Sequence, residues 1–379
     1  MIYEPTYRAA RAVASSVEKH FAEHVASACR EANQPKASQP SAEVIEAIID
    51  AAFWTSLRKE EGLSPKISLA YLAPWEASDA LLFGHRLPLS PDSLTKLAPG
   101  LERPGIHICV WNDGQEFFLW GTTRNIPNLC FILDVSEPGL LVIKHRRLCG
   151  FGKYTNVAVL KGDQVKIIDD KIASWPDTPP VLKSLLDLKA PSWDDSINLM
   201  IQLAVSMKSH GHGGALLVVP AGSERWRESI VNPMQYPVSP AFAGLTNVSN
   251  SELSQGSGGR WQNSLSQEVE HIAGLTAIDG ATVMSDRHEL LAFGVKIGRA
   301  EGSSPAEKIA LVEPIKGSEV QMVHPTHIGG TRHLSAAQFI YEQRDCTAYV
   351  ASQDGHFTVF SWSPHANSLR AYRIDTLLL

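Results

Sequence analysis

A fully apolar run, Gly214-Ala215-Leu216-Leu217-Val218-Val219, decides the fold of the C-terminal half. The run does not alternate between apolar and polar residues, which is typical of a strand buried on both faces. The glycine-rich turn sequence 210–213 precedes it, and a helical stripe that includes Met200 and Ala204 precedes that turn. A helix that leads into such a strand predicts an α/β (α+β) domain, in which helices flank a buried β-sheet.

The N-terminal half shows helical patterns first and strand patterns later. Apolar residues recur at helical spacing over 6–32, and a second helix is expected from about Ser41, whose hydroxyl suits an N-cap. From Ile106 onward, apolar runs flank three turn sequences, 112–115, 136–139 and 162–163. We therefore expect helices plus an antiparallel sheet.

The length of 379 residues suits two domains. The passage Ser174-Trp175-Pro176-Asp177-Thr178-Pro179-Pro180 and the later Pro191 break the pattern between the two halves. The expected domains are residues 1–190, which resemble a regulatory or sensor part, and residues 191–379.

Composition narrows the class of protein. Residues 1–190 carry 21 basic and 22 acidic side chains and residues 191–379 carry 13 and 18, so neither half has the basic excess of a general nucleic-acid binder. The five cysteines include no Cys-x-x-Cys pair and fit free thiols. No apolar run approaches the length of a membrane span, and no apolar leader is visible. We expect a cytoplasmic protein with neither a nucleic-acid nor a membrane partner.

Two short runs in the last third of the chain contain candidate functional residues. Asp279-Gly280-Ala281 interrupts what otherwise has the pattern of a buried strand, after a helix expected to open with a capping box at Ser264 and Gln267. Gly330-Thr331-Arg332-His333 places backbone and side-chain donors just ahead of Ser335, where a helix is expected to begin. Taken alone, the first run also fits a type I′ turn between strands. The Arg332-His333 pair of the second run also fits the start of a helix, where both side chains bond local backbone or acidic groups.

Taken in order, these pieces resemble the bacterial diadenylate cyclase (DAC) domain. The resemblance covers roughly residues 192–365 and leaves the N-terminal half outside. It consists of the apolar strand and four later motifs, Asp279-Gly280-Ala281, Gly330-Thr331-Arg332-His333, Tyr341-Glu342-Gln343-Arg344-Asp345 and Ala348-Tyr349-Val350-Ala351-Ser352-Gln353-Asp354-Gly355. It implies a mixed β-sheet flanked by helices.

The resemblance also implies an activity: two ATP molecules, held face to face by two protomers, are joined into the second messenger cyclic di-AMP with release of two pyrophosphates. Asp279 would then hold Mg²⁺ or Mn²⁺ and serve as a catalytic residue together with Arg332 and His333. The implied ATP-binding residues are Gly280, Ala281, Gly330, Thr331, Ser352 and Asp354. Self-association into a homodimer or higher oligomer is expected, because one site holds half of the reactants.

Two positions depart from the family pattern. Leu334 stands where the family run has a second arginine, and the turn Ser352-Gln353-Asp354-Gly355 is one residue shorter and keeps one carboxylate. A second hypothesis therefore stays open: a nucleotide-binding regulatory protein that retains the fold and has little or no turnover.

Other motifs are weaker. His210 and His212 could serve as ligands, but their glycine neighbours favour a turn. His324 and His327 have the spacing of a zinc pair, although Pro325 favours a loop and no third ligand is visible. The Gly/Ser-rich stretch 251–260 lacks the lysine that ends a P-loop, so a loop is expected there rather than a phosphate cradle.

Overall fold

The computed structural model describes residues 5–28, 37–147, 154–186, 195–248 and 259–379. These residues divide into two compact units, one that extends to Ile168 and one from Asp169 to Leu378. The boundary expected at residues 190/191, Cys29, Cys149 and positions 251–258 of the loop expected at 251–260 lie outside the described residues. The last two residues of that expected loop, 259 and 260, are helical. Cys109, Cys130 and Cys346 are free thiols, as expected.

Within its described residues, the N-terminal unit contains three helices and one eight-stranded sheet. The helices are α1 (Arg8–Ala28), α2 (Ala42–Ser56) and α3 (Pro91–Leu101). The strands are β1 (Ser68–Tyr71), β2 (Leu81–Pro88), β3 (His107–Asn112), β4 (Phe117–Thr123), β5 (Phe131–Glu137), β6 (Leu140–Arg146), β7 (Tyr154–Lys161) and β8 (Gln164–Ile167). They lie in the order β2-β4-β3-β1-β5-β6-β7-β8. All three expected hairpins are present, as β3–β4, β5–β6 and β7–β8.

The expected antiparallel pairs from residue 106 onward are present, but the sheet as a whole is mixed. Strand β1 pairs with β3 in parallel, with Leu69 opposite Ile108. Parallel neighbours need a crossover, and here the connection contains β2 and α3, neither of which the sequence pattern revealed. The expected N-cap is confirmed, since the Ser41 hydroxyl accepts a hydrogen bond from the Val44 backbone N–H.

The C-terminal unit is built on a nine-stranded mixed sheet. Its helices with described bounds are α4 (Pro180–Leu186), α5 (Asp195–Ser209), α6 (Gly259–Leu275) and α7 (Thr331–Glu342), and residues 244–248 are helical as well. Its strands are β9 (Gly214–Val219), β10 (Tyr236–Phe242), β11 (Ala281–Ser285), β12 (Leu290–Val295), β13 (Ile309–Val312), β14 (Gln321–Val323), β15 (Thr347–Ala351), β16 (Phe357–Ser363) and β17 (Ser368–Arg373). The order is β10-β12-β11-β9-β15-β16-β17-β13-β14, with β9 near the centre as its apolar sequence predicts. Both units combine helices with mixed sheets, so the fold class is α+β as expected.

Three local predictions in this unit need correction. Leu275 ends α6, so Asp279 lies in a helix-to-strand turn and does not interrupt a strand. Helix α6 begins at Gly259, so Ser264 lies inside the helix and is not its cap. Helix α7 begins at Thr331, and the run 331–333 is itself its first turn. Helices α6 and α7 thus begin earlier than the apolar spacing indicated, and α6 also ends later.

None of the described helices combines the length and apolar character needed to cross a bilayer.

Thr276, the residue that follows α6, leaves no room for a side chain at Gly214. A Cβ at Gly214 would lie 2.5 Å from the Thr276 hydroxyl oxygen and 2.9 Å from the Thr276 carbonyl oxygen. We expect Gly214→Ala to lower the stability of this unit by about 1–3 kcal/mol, because the buried backbone must shift. Gly274→Ala is the matched control: nothing lies within 4 Å of its Cβ, and alanine in a helix should raise stability by about 0.5–1 kcal/mol. Thermal unfolding midpoints that move in the same direction for both variants would contradict this packing.

Candidate functional site

Strand register in the C-terminal sheet brings four chain segments to one edge. Gly214, which begins β9, pairs with Ala351, which ends β15. Ala281, which begins β11, pairs with Val295, which ends β12. Because β9 and β11 are parallel, their starts lie side by side. The turns before β9 and β11 and after β12 and β15 therefore meet at one end of the sheet.

A cleft of about 610 Å³ opens at this edge, with the N-terminus of α7 on its wall. Its lining includes every residue that the sequence proposed for the site: Asp279, Gly280, Ala281, Gly330, Thr331, Arg332, His333, Ser352 and Asp354. The volume lies within the range of about 300–1,000 Å³ that is usual for small-molecule sites. Residues separated by more than seventy positions are thus gathered in one concave surface.

The turn before β11 holds Asp279 in the open cleft. Asp279 is exposed, and Gly280 beside it has a φ of +107°, which favours glycine. A Cβ on Gly280 would lie 2.6 Å from the Val295 carbonyl oxygen. Glycine is therefore required here both by the backbone conformation and by the close approach of β12, and this fixes the position of the neighbouring carboxylate.

The first turn of α7 presents donors to the cleft. Gly330 is the N-cap and has no side chain to occupy the helix end, while the N–H groups of His333 and Leu334 bond back to its carbonyl. Positive charge from the helix dipole concentrates at this end, which favours an anion. The Arg332 guanidinium lies over Gly213, where a Cβ would come 3.1 Å from its Nη1. This position directs Arg332 toward the turns beside β9 and β15.

His333 faces the cleft as a buried, neutral imidazole. Its exposed fraction is 4%, and its Nε2 lies 3.4 Å from the Thr358 hydroxyl. Burial, together with the charges of Arg373 and His356, lowers the pKa of His333 to about 4. Near neutral pH, His333 therefore offers the cleft an uncharged, positioned ring with one N–H donor.

The low pKa of His333 predicts acid sensitivity of this unit. The pKa of His333 is near 4 in the folded state and about 6.5 in the unfolded state, so the unfolded chain binds a proton more readily. Neutral His333 therefore contributes stability that is fully present above pH 6.5 and is lost as pH falls through about 4. The contribution is on the order of 3 kcal/mol. We expect His333→Gln to flatten the fall in unfolding free energy over this window, measured by denaturant titration at several pH values. The exposed His365→Gln is the control, and an equally steep fall in both variants would contradict the prediction.

The turn after β15 supplies the second carboxylate. The Ser352 N–H bonds to the His356 carbonyl, and the Ser352 hydroxyl accepts from the Asp354 N–H at 3.1 Å. Gln353 donates through Nε2 to the His212 carbonyl at 3.3 Å, which ties this turn to the one before β9. The shortened turn therefore keeps an ordered geometry with Asp354 exposed.

Sequence reasoning missed three polar lining residues, Lys296, Ser335 and Gln353. Lys296 matters most, because it brings an exposed cation to the cleft just after β12. Leu334, by contrast, is 38% exposed and is not among the lining residues, so the missing arginine leaves no gap in the wall of this cleft.

The donor set of the cleft fits a hard divalent cation. Asp279 and Asp354 both offer carboxylate oxygens, the ligand type that Mg²⁺ and Mn²⁺ prefer, and both are exposed. Mg²⁺ commonly takes one or two carboxylates and completes its shell with phosphate oxygens and water. The residues present therefore suit a metal bound together with a nucleotide.

The other histidine pairs have local roles. His212 N–H donates to His210 Nδ1 at 3.1 Å within the turn, as expected for 210–213. His324 Nδ1 lies 2.8 Å from the Thr326 hydroxyl and caps the short turn Pro325–His327. Among the described residues, neither pair belongs to a three-ligand cluster.

Comparison with known families bears on the N-terminal unit. Residues 34–124 match a family model. Its description is "Probable sensor domain DACNV", and the match spans α2 to the end of β4. Comparison with curated proteins found no match. The N-terminal half therefore resembles a sensor domain, in agreement with the regulatory part expected there, while the match does not extend to the cleft.

Proposed function

We propose that this protein is a diadenylate cyclase that condenses two ATP molecules into cyclic di-AMP and two pyrophosphates. One observation carries the proposal: a single cleft gathers Asp279, the N-terminus of α7 with Arg332, and the turn that bears Asp354. These are the groups that the ordered motifs of the diadenylate cyclase family imply, and they come from three separate segments of the chain. The match to a sensor-domain family supports an accompanying regulatory role for the N-terminal unit.

The proposed chemistry needs a nucleophile, a held electrophile and a stabilised leaving group. The 3′-oxygen of each ATP attacks the α-phosphorus of the other. The bond from that phosphorus to the oxygen that bridges it to the β-phosphorus breaks, and pyrophosphate leaves. The proton of the 3′-hydroxyl passes to solvent. A divalent metal, held by Asp279 and the phosphates, would supply Lewis-acid stabilisation. The Asp279 carboxylate orients the hydroxyl and favours loss of its proton.

The remaining groups act on the phosphates. The guanidinium of Arg332 donates to phosphoryl oxygens as charge develops on them, and the N–H groups at the start of α7 hold the anionic chain. Lys296 adds a cation to the lining of the cleft, which offsets the arginine absent at position 334. Gly280 keeps the turn that bears Asp279 close to β12, where any side chain would collide with the Val295 carbonyl oxygen.

Self-association follows from this chemistry, since each site holds one ATP and two must face each other. We expect specific activity, meaning product per protein per minute, to fall steeply on dilution once protomers separate. The measurement is product formation over a wide range of protein concentrations, with sedimentation velocity on the same samples. Constant specific activity in samples that sediment as monomers would contradict the paired mechanism.

A nucleotide-binding regulator is the second candidate, and Leu334 favours it. An exposed leucine at the start of α7 replaces a cation of the family run. Such a protein would hold ATP in the cleft and use it as a signal, with little turnover.

Parallel measurement of binding and turnover separates the two candidates. Purified full-length protein is incubated with ATP and Mg²⁺ or Mn²⁺, and nucleotides are separated by chromatography while ATP affinity is measured by calorimetry. Cyclic di-AMP formation supports the cyclase. Saturable ATP binding without product at any protein concentration would refute the cyclase and favour the regulator. Since both candidates use cytoplasmic ATP, we expect the protein to act in the cytoplasm.

A further inference from the structure

Three histidines of the N-terminal unit converge in its interior. His20 and His24 lie one turn apart on α1, and His145 lies near the end of β6. One ring nitrogen from each lies within 4.8 Å of the others, and His24 Nδ1 is 3.1 Å from His145 Nε2. The exposed fractions are 4%, 7% and 0% for His20, His24 and His145. The cluster lies outside the segment 34–124 and shares no residue with the cleft.

A backbone contact fixes the orientation of His145. Its Nδ1 lies 3.2 Å from the Arg146 carbonyl oxygen, so the Nδ1–H donates there and Nε2 carries a lone pair toward the other two rings. Metal-binding histidines are typically held in this way, with the second ring nitrogen donating to a carbonyl or carboxylate. Without an ion, His24 Nδ1–H donates to that lone pair. With an ion, the His24 proton moves to Nε2 and both lone pairs point at the metal.

The spacing also suits one ion. Two nitrogens bound to a tetrahedral Zn²⁺ at about 2.0–2.1 Å lie about 3.3 Å apart. The observed separation of 3.1 Å between His24 and His145 is close to this value. Histidines four residues apart on a helix point along one face, so His20 and His24 can bind the same ion.

The surroundings of the cluster are apolar on one side, where the Phe21 ring lies edge-on to His145 with 5.7 Å between the ring centroids. Arg147 is also buried close by, with its Nε donating to the Thr155 hydroxyl at 2.6 Å, and its charge opposes a second cation. An ion bound here would therefore take an anionic fourth ligand such as hydroxide.

We propose that His20, His24 and His145 form a binding site for a divalent transition-metal ion of the zinc type. Three imidazole nitrogens suit Zn²⁺, Co²⁺, Ni²⁺ and Cu²⁺ and are poor ligands for Mg²⁺, which prefers oxygen. The site is thus chemically distinct from the carboxylate cleft and does not depend on the proposed cyclase activity. Its ion joins α1 to β6, which makes the unit that contains the sensor-family match responsive to metal.

Cobalt titration tests the site directly. Full-length protein is stripped with a chelator and titrated with Co²⁺, whose visible d–d absorption reports tetrahedral coordination. The wild-type protein should show one saturable tetrahedral site that Zn²⁺ displaces and excess Mg²⁺ does not. His24→Gln should weaken Co²⁺ binding by about 100-fold or more, since removal of even an outer partner of a ligand costs 10–100-fold. The exposed His85→Gln, and the double variant His324→Gln/His327→Gln, should bind as the wild type does.

Circular dichroism of the metal-free proteins checks that His24→Gln folds. If it does not fold, X-ray absorption at the zinc edge of wild-type protein with one equivalent of Zn²⁺ decides, with imidazole nitrogens at about 2.0 Å expected. No tetrahedral Co²⁺ absorption in the wild type, retained binding in a folded His24→Gln, or a zinc shell without imidazole would each overturn the proposal and leave the cluster as a buried hydrogen-bond network.

Discussion

Asp279→Asn is expected to abolish cyclic di-AMP formation and leave the fold intact. Asparagine has nearly the same shape but removes the negative charge that holds the metal beside the 3′-hydroxyl. Metal stabilisation is worth several kcal/mol in the transition state, and each 1.4 kcal/mol is tenfold in rate, so a loss of about 10³-fold or more is expected. The measurement is the initial rate of product formation at saturating ATP.

Asp286→Asn is the matched control. Asp279 precedes β11 and Asp286 follows it, so the two exposed aspartates lie at opposite ends of the same strand. Asp286 Oδ1 accepts from the Ala221 N–H, and an asparagine oxygen can still do so. We expect wild-type rates from this control, and unchanged turnover in Asp279→Asn would refute the role given to that carboxylate.

Arg332→Ala is expected to reduce turnover by about 10²–10³-fold, the usual effect of removing one donor to a charge that develops in the transition state. The loss should fall mainly on kcat, because Lys296 and the helix N-terminus continue to hold the ground-state phosphates. Steady-state kinetics with the appropriate metal measures kcat and KM separately.

Arg344→Ala controls for general loss of positive charge. The Arg344 guanidinium stacks 3.9 Å from the Trp362 ring and does not line the cleft, so activity should stay near the wild-type value. A rise in KM at constant kcat for Arg332→Ala would contradict a transition-state role and assign Arg332 to ATP binding alone.

The sequence predicted the elements whose signals are local. The two-sided apolar run 214–219 identified a central strand, Ser41 identified a helix cap, and Asp113-Gly114 identified a hairpin, in which the Asp113 carboxylate accepts from the Gln115 and Glu116 N–H groups. Each of these depends on neighbouring residues only, so no tertiary information was needed.

Features set by distant neighbours could not be derived in the same way. The parallel pairing of β1 with β3 depends on a crossover through β2 and α3. The requirement for glycine at 280 comes from the Val295 carbonyl, and the low pKa of His333 comes from burial against other elements. The convergence of His20, His24 and His145 joins positions more than a hundred residues apart.

The candidate site shows the same division. Ordered motifs nominated nine residues, and strand register then explains why they meet, because the starts of β9 and β11 and the ends of β12 and β15 share one edge. The presence of Lys296 in the cleft was not predicted, because a lysine after a strand is indistinguishable in sequence from an ordinary solvated side chain.

The most direct test of the cyclase proposal compares the products formed from ATP and from 3′-deoxy-ATP by liquid chromatography and mass spectrometry. The proposed mechanism predicts cyclic di-AMP and two pyrophosphates from ATP with Mg²⁺ or Mn²⁺. It predicts no cyclic product from 3′-deoxy-ATP, which lacks the attacking hydroxyl, and inhibition when the two nucleotides are mixed. Absence of cyclic di-AMP from ATP, under conditions where the protein is folded, associated and binds ATP, would contradict it.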